Sequence, residues 1–304
     1  MKRIENVSII GMGALGILYG NFFSGAIGNE NVHFIMDKER CERKKGRPVL
    51  CNGKEVFFDC VPAENARAAD LLIVAVKATG LAQAIDSVRG CVGPDTIIIS
   101  VMNGISSEEL IAERYGKEHV LIAVAQGMDA MRFGDSLTFT KTGQLLIGTD
   151  LPENLGILES LCEFFDRTGF PYTKDPDIIH RLWGKFMLNV GVNQTCMVCS
   201  CTYADVLRPG RERDIYLNAM YEVIAIANVK GIALSQKEID EYDQLIATLR
   251  PEGTPSMGQD RINRRPSEVE SFAGTVIRLG AETKIPTPVN QWLYDQVRQI
   301  ESGY

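Results

Sequence analysis

Short, nearly continuous apolar segments rich in β-branched residues recur through the first half of the chain. Segments with helical spacing lie between several of them. Apolar strands without polar alternation, separated by helices, are typical of a parallel sheet covered on both faces. The predicted strands are Val7–Ile10, Val32–Met36, Leu71–Val76, Thr96–Val101, Val120–Ala125 and Gln144–Ile147. The predicted helices between them are Ala14–Phe23, Leu81–Arg89 and Ser107–Tyr115.

The pattern changes after about residue 175, where segments with helical spacing follow one another without a comparable strand. Ser267 and Glu270 predict a capping box, and Pro288 directly after Thr287 predicts a proline in the first turn of a helix. The chain therefore divides into an α/β part and an all-α part, with the boundary near Lys174–Asp177. The predicted helices of the second part are Asp177–Val198, Arg211–Lys230, Ser235–Leu249, Ser267–Thr283 and Pro288–Ile300.

The composition is that of a soluble protein large enough for two domains. The chain has 304 residues, of which 45% are hydrophobic and 23% are charged. Its net charge of −7 speaks against a nucleic-acid partner, because such proteins usually present a basic surface. The apolar stretch Val7–Phe23 is too short to span a bilayer, and its glycines interrupt the apolar region that a signal peptide needs. We therefore expect neither a nucleic-acid partner nor a membrane partner.

The cysteines indicate a reducing compartment. Eight cysteines in 304 residues are too few for a disulfide-stabilised scaffold, so free thiols and a cytoplasmic location are expected. Cys196, Cys199 and Cys201 form the one close group, but no second pair of Cys or His residues lies near it in the sequence. Because a structural zinc site normally needs four such ligands, we expect no metal there.

A glycine motif follows the first predicted strand and opens the first predicted helix. Gly11 permits a tight turn, Gly13 lets the backbone approach a pyrophosphate, and Gly16 allows the helix to pack closely on the sheet. The amino end of the helix then offers N–H groups and a favourable dipole to a phosphate. The alternative is a glycine-rich turn that binds nothing. The motif predicts a dinucleotide-binding site formed by Gly11, Met12, Gly13, Ala14, Leu15 and Gly16.

Two signals conflict over which dinucleotide this site would take. Asp37 ends the second predicted strand, 21 positions after Gly16, where an acid would bind the ribose hydroxyls of NAD. The basic residues that follow would neutralise the additional phosphate of NADP, or they form a solvated loop. These residues are Lys38, Arg40, Arg43, Lys44, Lys45 and Arg47.

Five further segments carry a resemblance to one family. They are Val76-Lys77-Ala78, Met102-Asn103-Gly104, Leu182-Trp-Gly-Lys185-Phe-Met-Leu-Asn189-Val-Gly-Val-Asn193, Ser256-Met-Gly-Gln-Asp260 and Ser267-Glu268-Val269. Together with the glycine motif they resemble the ketopantoate reductases, or 2-dehydropantoate 2-reductases, over about residues 4–300. The α/β part, residues 1–175, is then an N-terminal Rossmann-type dinucleotide-binding domain with a parallel sheet. The all-α C-terminal part, residues 176–304, is then a helical substrate and catalytic domain.

The resemblance implies the reduction of 2-dehydropantoate to (R)-pantoate, a step of pantothenate and coenzyme A synthesis. Hydride addition to a keto carbon builds negative charge on the oxygen, which a positioned acid must neutralise. The resemblance gives that role to Lys185, and it assigns Glu268 to holding the ligand, the cofactor and the lysine. It implies cofactor contacts from Lys77, Asn103 and Ala130, and substrate contacts from Asn103, Lys185, Asn189, Asn193 and Ser256.

These residues also have plain structural explanations. Lys185, Asn189 and Asn193 lie at intervals of four and share one stripe of a helix, which is also the pattern of a polar seam between packed helices. Glu268 is favourable in the first turn of a helix for dipole reasons alone. Ser256 follows a proline and fits a turn equally well.

Several positions depart from the family pattern, while the residues expected in catalysis are kept. The departures leave the identity of the 2-keto acid open. A related reductase or opine-type dehydrogenase of another keto acid is one alternative, and a non-catalytic dinucleotide-sensing protein is another. The resemblance favours NADP(H), Asp37 keeps NAD(H) open, and a homodimer also stays open. In this chain Asp37 stands where the family often has a basic residue, Met102 where it has glutamine, and Gln194 where it has proline. Tyr203 and Ala273 each stand where the family has asparagine.

Overall fold

The computed structural model describes residues 3–304, which divide into two compact units. The first unit consists of the segment up to Met102 together with Ser107–Ile178. The second unit consists of Asn103–Ser106 and Ile179–Tyr304. The short segment around Asn103 therefore groups with the C-terminal helices, although it follows a strand of the first unit. Within residues 3–304, no helix is both long enough and apolar enough to cross a membrane.

In the described part of the chain, the first unit contains twelve strands and five α-helices. The strands are β1 (Val7–Ile10), β2 (Val32–Met36), β3 (Val49–Cys51), β4 (Lys54–Val56), β5 (Asp59–Pro62), β6 (Leu71–Val74), β7 (Ile97–Ser100), β8 (Val120–Met128), β9 (Met131–Phe133), β10 (Ser136–Thr138), β11 (Thr142–Gly148) and β12 (Tyr172–Lys174). The helices are α1 (Ala14–Ile27), α2 (Lys38–Lys44), α3 (Leu81–Ser87), α4 (Ser107–Tyr115) and α5 (Leu155–Thr168).

Eight strands form the main sheet, in the order β12-β11-β8-β7-β6-β1-β2-β5. Both faces are buried, because alternate residues of the central strands enter two separate apolar clusters. Ile9 and Ile73 lie in one cluster, and Ile10 and Leu72 lie in the other. The predicted α/β fold with a parallel sheet is thus confirmed for most of the sheet. The exception is the pair of β8 and β11, which is antiparallel.

The other four strands form a small sheet in the order β4-β3-β10-β9. The sequence pattern did not predict this sheet, because its strands have three residues each and lack a long apolar run. Leu137 and Cys51 are paired across it, and both are buried in the larger apolar cluster of the first unit. The small sheet therefore packs one face against the core of that unit.

The second unit is helical. Its apolar core includes Phe186, Tyr216 and Phe272, all with at most 1% of their surface exposed. Its helices are α6 (Ile178–Cys199), α7 (Tyr203–Leu207), α8 (Arg211–Val229), α9 (Gln236–Ala247), α10 (Ser256–Ile262), α11 (Thr275–Thr283) and α12 (Pro288–Glu301). A turn of π-helix, Glu270–Gly274, leads directly into α11.

The two predicted helix caps had different outcomes. Thr287 is the N-cap of α12 and Pro288 occupies its first turn, as predicted. The capping box of Ser267 with Glu270 is wrong. The N–H and the hydroxyl of Ser267 donate to Oε1 of Glu301 at 2.7 and 2.6 Å, and the carboxylate of Glu270 accepts from the hydroxyl of Tyr294. Partners far along the chain replaced the local pair that the motif suggests.

Candidate active site

The glycine motif forms the turn between β1 and α1. Gly11 has a φ of +107°, and a Cβ there would lie 2.3 Å from the carbonyl oxygen of Ala75. A Cβ at Gly16 would lie 1.9 Å from the carbonyl oxygen of Gly11. The backbone geometry therefore demands glycine at both positions, as expected of a turn that brings a helix closely over a strand end.

The amino end of α1 fits a bound pyrophosphate. Gly13 is the N-cap residue, and a Cβ there would be 3.7 Å from the nearest atom outside its neighbours, so the space beside it is open. Ala14, Leu15 and Gly16 form the first turn, which contains no carboxylate to compete for the N–H groups. A helix terminus of this kind binds anions through its free N–H groups and its dipole. The observed geometry thus accommodates the phosphates of a dinucleotide.

Arg132 on β9 is a cation at this turn that the sequence analysis missed. Its guanidinium donates to the carbonyl oxygen of Met12 and, through Nε, to that of Gly134 at 2.9 Å. Asp135 lies 3.7 Å from the guanidinium and also binds Lys44, whose ammonium holds the pKa of that carboxyl below its ordinary value. A strand of three residues gives no periodic signal, so only the structure reveals this contact.

Asp37 is exposed at the carboxyl end of β2 and is the N-cap of α2. Its Oδ1 accepts from the N–H of Arg40 at 2.7 Å, and Nε of Arg40 lies 4.0 Å from Oδ2. The basic run, for which the sequence left a phosphate-binding role and a solvated loop open, begins as a helix, with Lys38 and Arg43 exposed on it. The capping role explains the acid at this position without a cofactor, but its second oxygen remains able to accept from a ribose hydroxyl.

Two other expected cofactor residues also lie in the first unit. Lys77 is exposed and follows β6, the strand that pairs with β1. Ala130 is half-buried in the short connection between β8 and β9 and packs against the apolar core. The glycine turn, Asp37 and Lys77 all follow the carboxyl ends of neighbouring parallel strands, where open α/β sheets bind their ligands.

In the second unit, Asn103 and Glu268 meet although they are 165 residues apart. Nδ2 of Asn103 donates to Oε2 of Glu268 at 3.2 Å. The carbonyl oxygen of Glu268 accepts from the N–H groups of Ser271 and Phe272 at 2.9 and 3.2 Å, so the π-helical turn fixes its backbone. Glu268 is therefore not the first-turn residue of a regular capped helix that the sequence suggested.

The polar stripe of α6 is tied to the start of α10. Nδ2 of Asn193 donates to Oδ1 of Asn189 at 3.2 Å. Oδ1 of Asn193 accepts from the hydroxyl of Ser256 at 2.9 Å and from the N–H of Met257 at 3.2 Å. Three expected substrate residues, Asn189, Asn193 and Ser256, are thus joined in one chain of hydrogen bonds.

Asn189 keeps an unused donor in this chain of hydrogen bonds. Its Nδ2 is buried and has no hydrogen-bond partner within residues 3–304. It lies one helical turn beyond Lys185, which is half-buried on the same stripe. Because buried polar groups are nearly always paired, this amide N–H₂ is suited to an acceptor oxygen of a ligand.

Tyr203 packs against the loop that precedes Ser256. Its N–H donates to the carbonyl oxygen of Gly253 at 2.9 Å, and a Cβ at Gly253 would lie 3.1 Å from its ring. Burial raises the pKa of the Tyr203 hydroxyl to about 12, so the side chain is neutral at physiological pH. The aromatic ring thus packs against Gly253, which lies three residues before Ser256.

All eight cysteines are free. The thiols of Cys196 and Cys201 contact the carbonyl oxygens of Thr202 and Thr195 at 3.9 and 3.8 Å. In the described part of the chain, no three His, Cys, Asp or Glu side chains are grouped so that they could hold a metal ion.

Comparison with known proteins agrees with this geometry. Two sequence profiles match, described as "Ketopantoate reductase PanE/ApbA" over residues 7–149 and "Ketopantoate reductase PanE/ApbA C terminal" over residues 177–301. The 2-dehydropantoate 2-reductase of Streptococcus pyogenes is 23% identical over 302 residues, which cover 97% of this chain and 98% of the relative.

Solved structures share the fold over nearly the whole chain. A ternary structure of D-mandelate dehydrogenase with NADH and anilino(oxo)acetate has a TM-score of 0.88 at 20% identity and covers 98% of this chain and 99% of that one. A dimeric ketopantoate reductase from Staphylococcus aureus has a TM-score of 0.79 at 20% identity, with 98% and 99% covered.

The family profiles and the curated relatives, together with the glycine turn, define a nicotinamide dinucleotide-dependent oxidoreductase that acts on CH–OH groups. More particularly, the chain belongs to the ketopantoate reductase PanE/ApbA family, whose two profiles together match most of its length.

Proposed function

We propose that the chain reduces 2-dehydropantoate to (R)-pantoate, with Lys185 as the proton donor. The observation that carries the proposal is the buried, unused Nδ2 of Asn189, one helical turn from Lys185. An ammonium and an amide donor on one stripe suit an oxygen that gains negative charge as the reaction proceeds.

The residues of α6 and α10 have separate roles toward the substrate. A bound reduced nicotinamide supplies the hydride to the keto carbon. Lys185 donates a proton to the keto oxygen, and its charge stabilises the developing alkoxide before the transfer. Asn189 donates a hydrogen bond from Nδ2, and the hydroxyl of Ser256 turns from Asn193 toward the substrate carboxylate. These neutral donors bind oxygens without adding a competing charge.

Glu268 and Asn103 orient the ligands in this proposal. Their hydrogen bond of 3.2 Å fixes one oxygen of the carboxylate. The other oxygen is able to accept from the Lys185 ammonium or from a hydroxyl of a ligand. Asn103 retains its carbonyl oxygen as an acceptor for cofactor or substrate.

The cofactor proposal places the pyrophosphate at Gly11, Met12, Gly13, Ala14, Leu15 and Gly16, with contacts from Lys77 and from the backbone of Ala130. NADP(H) is the favoured form, supported by Lys38 and Arg40 in the first turn of α2 and by Arg43 in its last turn. NAD(H) is the alternative, supported by Asp37. Asp37→Ala should weaken NADH use and improve NADPH use if the acid binds the ribose. Unchanged kinetics with both cofactors would remove Asp37 from the cofactor site.

The test of the reaction is steady-state reduction of 2-dehydropantoate with NADPH and NADH side by side. Lys185→Ala should lower kcat by about 10²- to 10⁴-fold, the usual contribution of a positioned general acid. Lys237→Ala is the matched control, because Lys237 is an exposed lysine of the same unit, paired with Glu241 on α9. A folded Lys185→Ala variant with wild-type turnover would refute the role of the lysine. Tight dinucleotide binding without turnover on any keto acid would instead support a sensing protein.

A second candidate is a reductase of a different 2-keto acid, and Tyr203 favours it. Tyr203 stands where the family has an asparagine that helps to bind substrate, and its ring packs beside Gly253. Replacing a polar amide by an aromatic ring suits a more apolar substrate. The fold is also that of D-mandelate dehydrogenase, whose structure holds NADH and anilino(oxo)acetate. Comparing kcat/KM for 2-dehydropantoate with that for branched and aromatic 2-keto acids decides between the two.

The remaining parts of the proposal concern organisation. Residues 1–175 form the dinucleotide-binding domain, and residues 176–304 form the substrate and catalytic domain. The enzyme is a cytoplasmic homodimer. Light scattering after size exclusion tests the dimer, because a monomeric mass at assay concentration would contradict it.

A further inference from the structure

The turn that follows Glu268 departs from regular helix at one amide. Gly274 donates its N–H to the carbonyl oxygen of Val269 at 3.0 Å, five residues back, which is the hydrogen bond of a π-helix. The N–H of Ala273 leaves this ladder and donates to Oε1 of Gln194 on α6 at 3.1 Å. A side chain inserted into a helical ladder is a recognised cause of such a distortion.

Gln194 is held rigidly from its other end. It is fully buried, and its Nε2 donates to the carbonyl oxygen of Val190 at 2.9 Å and to Oδ1 of Asn290 at 3.2 Å. Asn290, also fully buried, donates from Nδ2 to Oε2 of Glu222 at 2.7 Å and to the carbonyl oxygen of Ala219 at 3.2 Å. The acceptor offered to Ala273 is therefore fixed by α6, α8 and α12 together.

This network connects two parts of the proposed site. Gln194 directly follows Asn193 on α6, and the turn that it holds begins two residues after Glu268. The carbonyl oxygen of Glu268 is itself bound by the first N–H groups of that turn. Moving the turn would move the Glu268 backbone, and with it the carboxylate that Asn103 contacts.

We infer that Gln194 is a positioning residue, which holds the π-helical turn so that the carboxylate of Glu268 keeps its place relative to the stripe of α6. The catalytic consequence rests on the proposed function, in which Glu268 orients the ligands. Gln194 touches no ligand in this scheme and acts only through the turn. In the sequence, Gln194 stands out only as a departure from the family pattern.

Gln194→Met tests the inference, because it keeps the length of the side chain and removes its hydrogen bonds. Amide hydrogen exchange over residues 270–275 should become faster, and kcat should fall about 10- to 100-fold, as expected when reacting groups are misplaced by about 1 Å. Gln194→Glu, assayed near pH 6, should restore most of kcat. A buried carboxyl remains protonated there, accepting from Ala273 and donating to Asn290.

Asn290→Ala is a graded control, because it removes one of the two anchors of the Gln194 amide and keeps both the bond to Val190 and the bond from Ala273. It should lower Tm as much as Gln194→Met does and lower kcat less, by no more than about threefold. Equal loss of kcat in both variants, or unchanged exchange in Gln194→Met, would overturn the inference. So would a Gln194→Glu variant that is as impaired as Gln194→Met.

The outcomes separate this inference from the proposed function. If the wild-type chain reduces no 2-keto acid, or if Lys185→Ala is fully active, the proposed function fails. The structural role of Gln194 is then decided by exchange over residues 270–275 alone. If Lys185→Ala is inactive and Gln194→Met has wild-type kcat, the proposed function stands and the positioning role is lost.

Discussion

The contact between Gly16 and Gly11 gives the sharpest prediction about the dinucleotide site. A Cβ at position 16 would lie 1.9 Å from the carbonyl oxygen of Gly11, whereas ordinary van der Waals contact begins at 3.4 Å. In Gly16→Ala, the helix α1 and the glycine turn must therefore separate by about 1.5 Å. The atom in the way belongs to the backbone, so no side-chain rotation relieves the clash.

This separation should affect both stability and binding. Overpacking of this kind typically costs about 1–3 kcal/mol of folding free energy. A displacement of more than about 1 Å also moves the N–H groups of the first turn away from the pyrophosphate, so we expect dinucleotide affinity to fall about 10- to 100-fold. Fluorescence titration with NADPH and NADH measures the affinity, and thermal unfolding measures the stability.

Gly25→Ala provides the control within the same helix. Nothing lies within 4 Å of a Cβ at position 25, which is exposed near the end of α1. Alanine there should stabilise the protein by about 0.5–1 kcal/mol, because glycine is a poor helix former, and should leave dinucleotide affinity unchanged. Wild-type affinity in Gly16→Ala would refute the assignment of this turn to the phosphates.

Three further predictions follow from contacts in the two units. Arg132→Leu should weaken dinucleotide binding about tenfold in a titration, because it removes a cation that binds the carbonyl oxygen of Met12 in the glycine turn. The control Arg114→Leu breaks an exposed ion pair with Asp86 and should leave dinucleotide binding unchanged. Hydrogen bonds from the N–H and the hydroxyl of Thr202 lower the pKa of the Asp205 carboxyl in the folded protein. The ionised carboxylate therefore stabilises the fold at pH values above its unfolded pKa of about 3.9, and this contribution is lost as the pH falls through the folded pKa. Asp205→Ala should therefore lower stability by about 1 kcal/mol at pH 7 and by progressively less as the pH falls below the unfolded pKa, and a loss that does not change with pH would contradict this. Phe23→Ala should cost about 3–5 kcal/mol in denaturant unfolding, because the fully buried ring packs on Phe164 and Phe170; a loss below about 1 kcal/mol would show that the cluster tolerates the cavity.

The long apolar segments were predictable because each carries its own signal. The strands β1 and β2 and the helix α4 have the predicted bounds. A strand buried on both faces gives a continuous apolar run, and a helix buried on one face gives apolar residues at helical spacing, so both are recognisable in the sequence. The small sheet and the helix α5 escaped prediction. Strands of three residues are too short to show a period, and their partners β3 and β10 lie about 85 residues apart.

In the candidate site, too, features with local spacing were predictable and features that depend on distant partners were not. The glycine turn and the stripe of Lys185, Asn189 and Asn193 were recognisable because their spacing is local. The role of Gln194 and the contact from Arg132 were not recognisable. Each depends on a partner that only folding brings near: Ala273 lies 79 residues from Gln194, and Met12 lies 120 residues from Arg132.

The sequence by itself determined the fold class, the glycine turn and the residue types available for chemistry, because these depend on periods and spacings within one element. The tertiary structure decided which groups meet. It turned Ser267 and Glu270 to partners on α12, joined Asn103 to Glu268, and left one donor of Asn189 unused. The physical reason is that a local pair such as a capping box contributes about as much free energy as any other hydrogen bond. Long-range packing therefore selects among such pairs, and the sequence alone does not show the outcome.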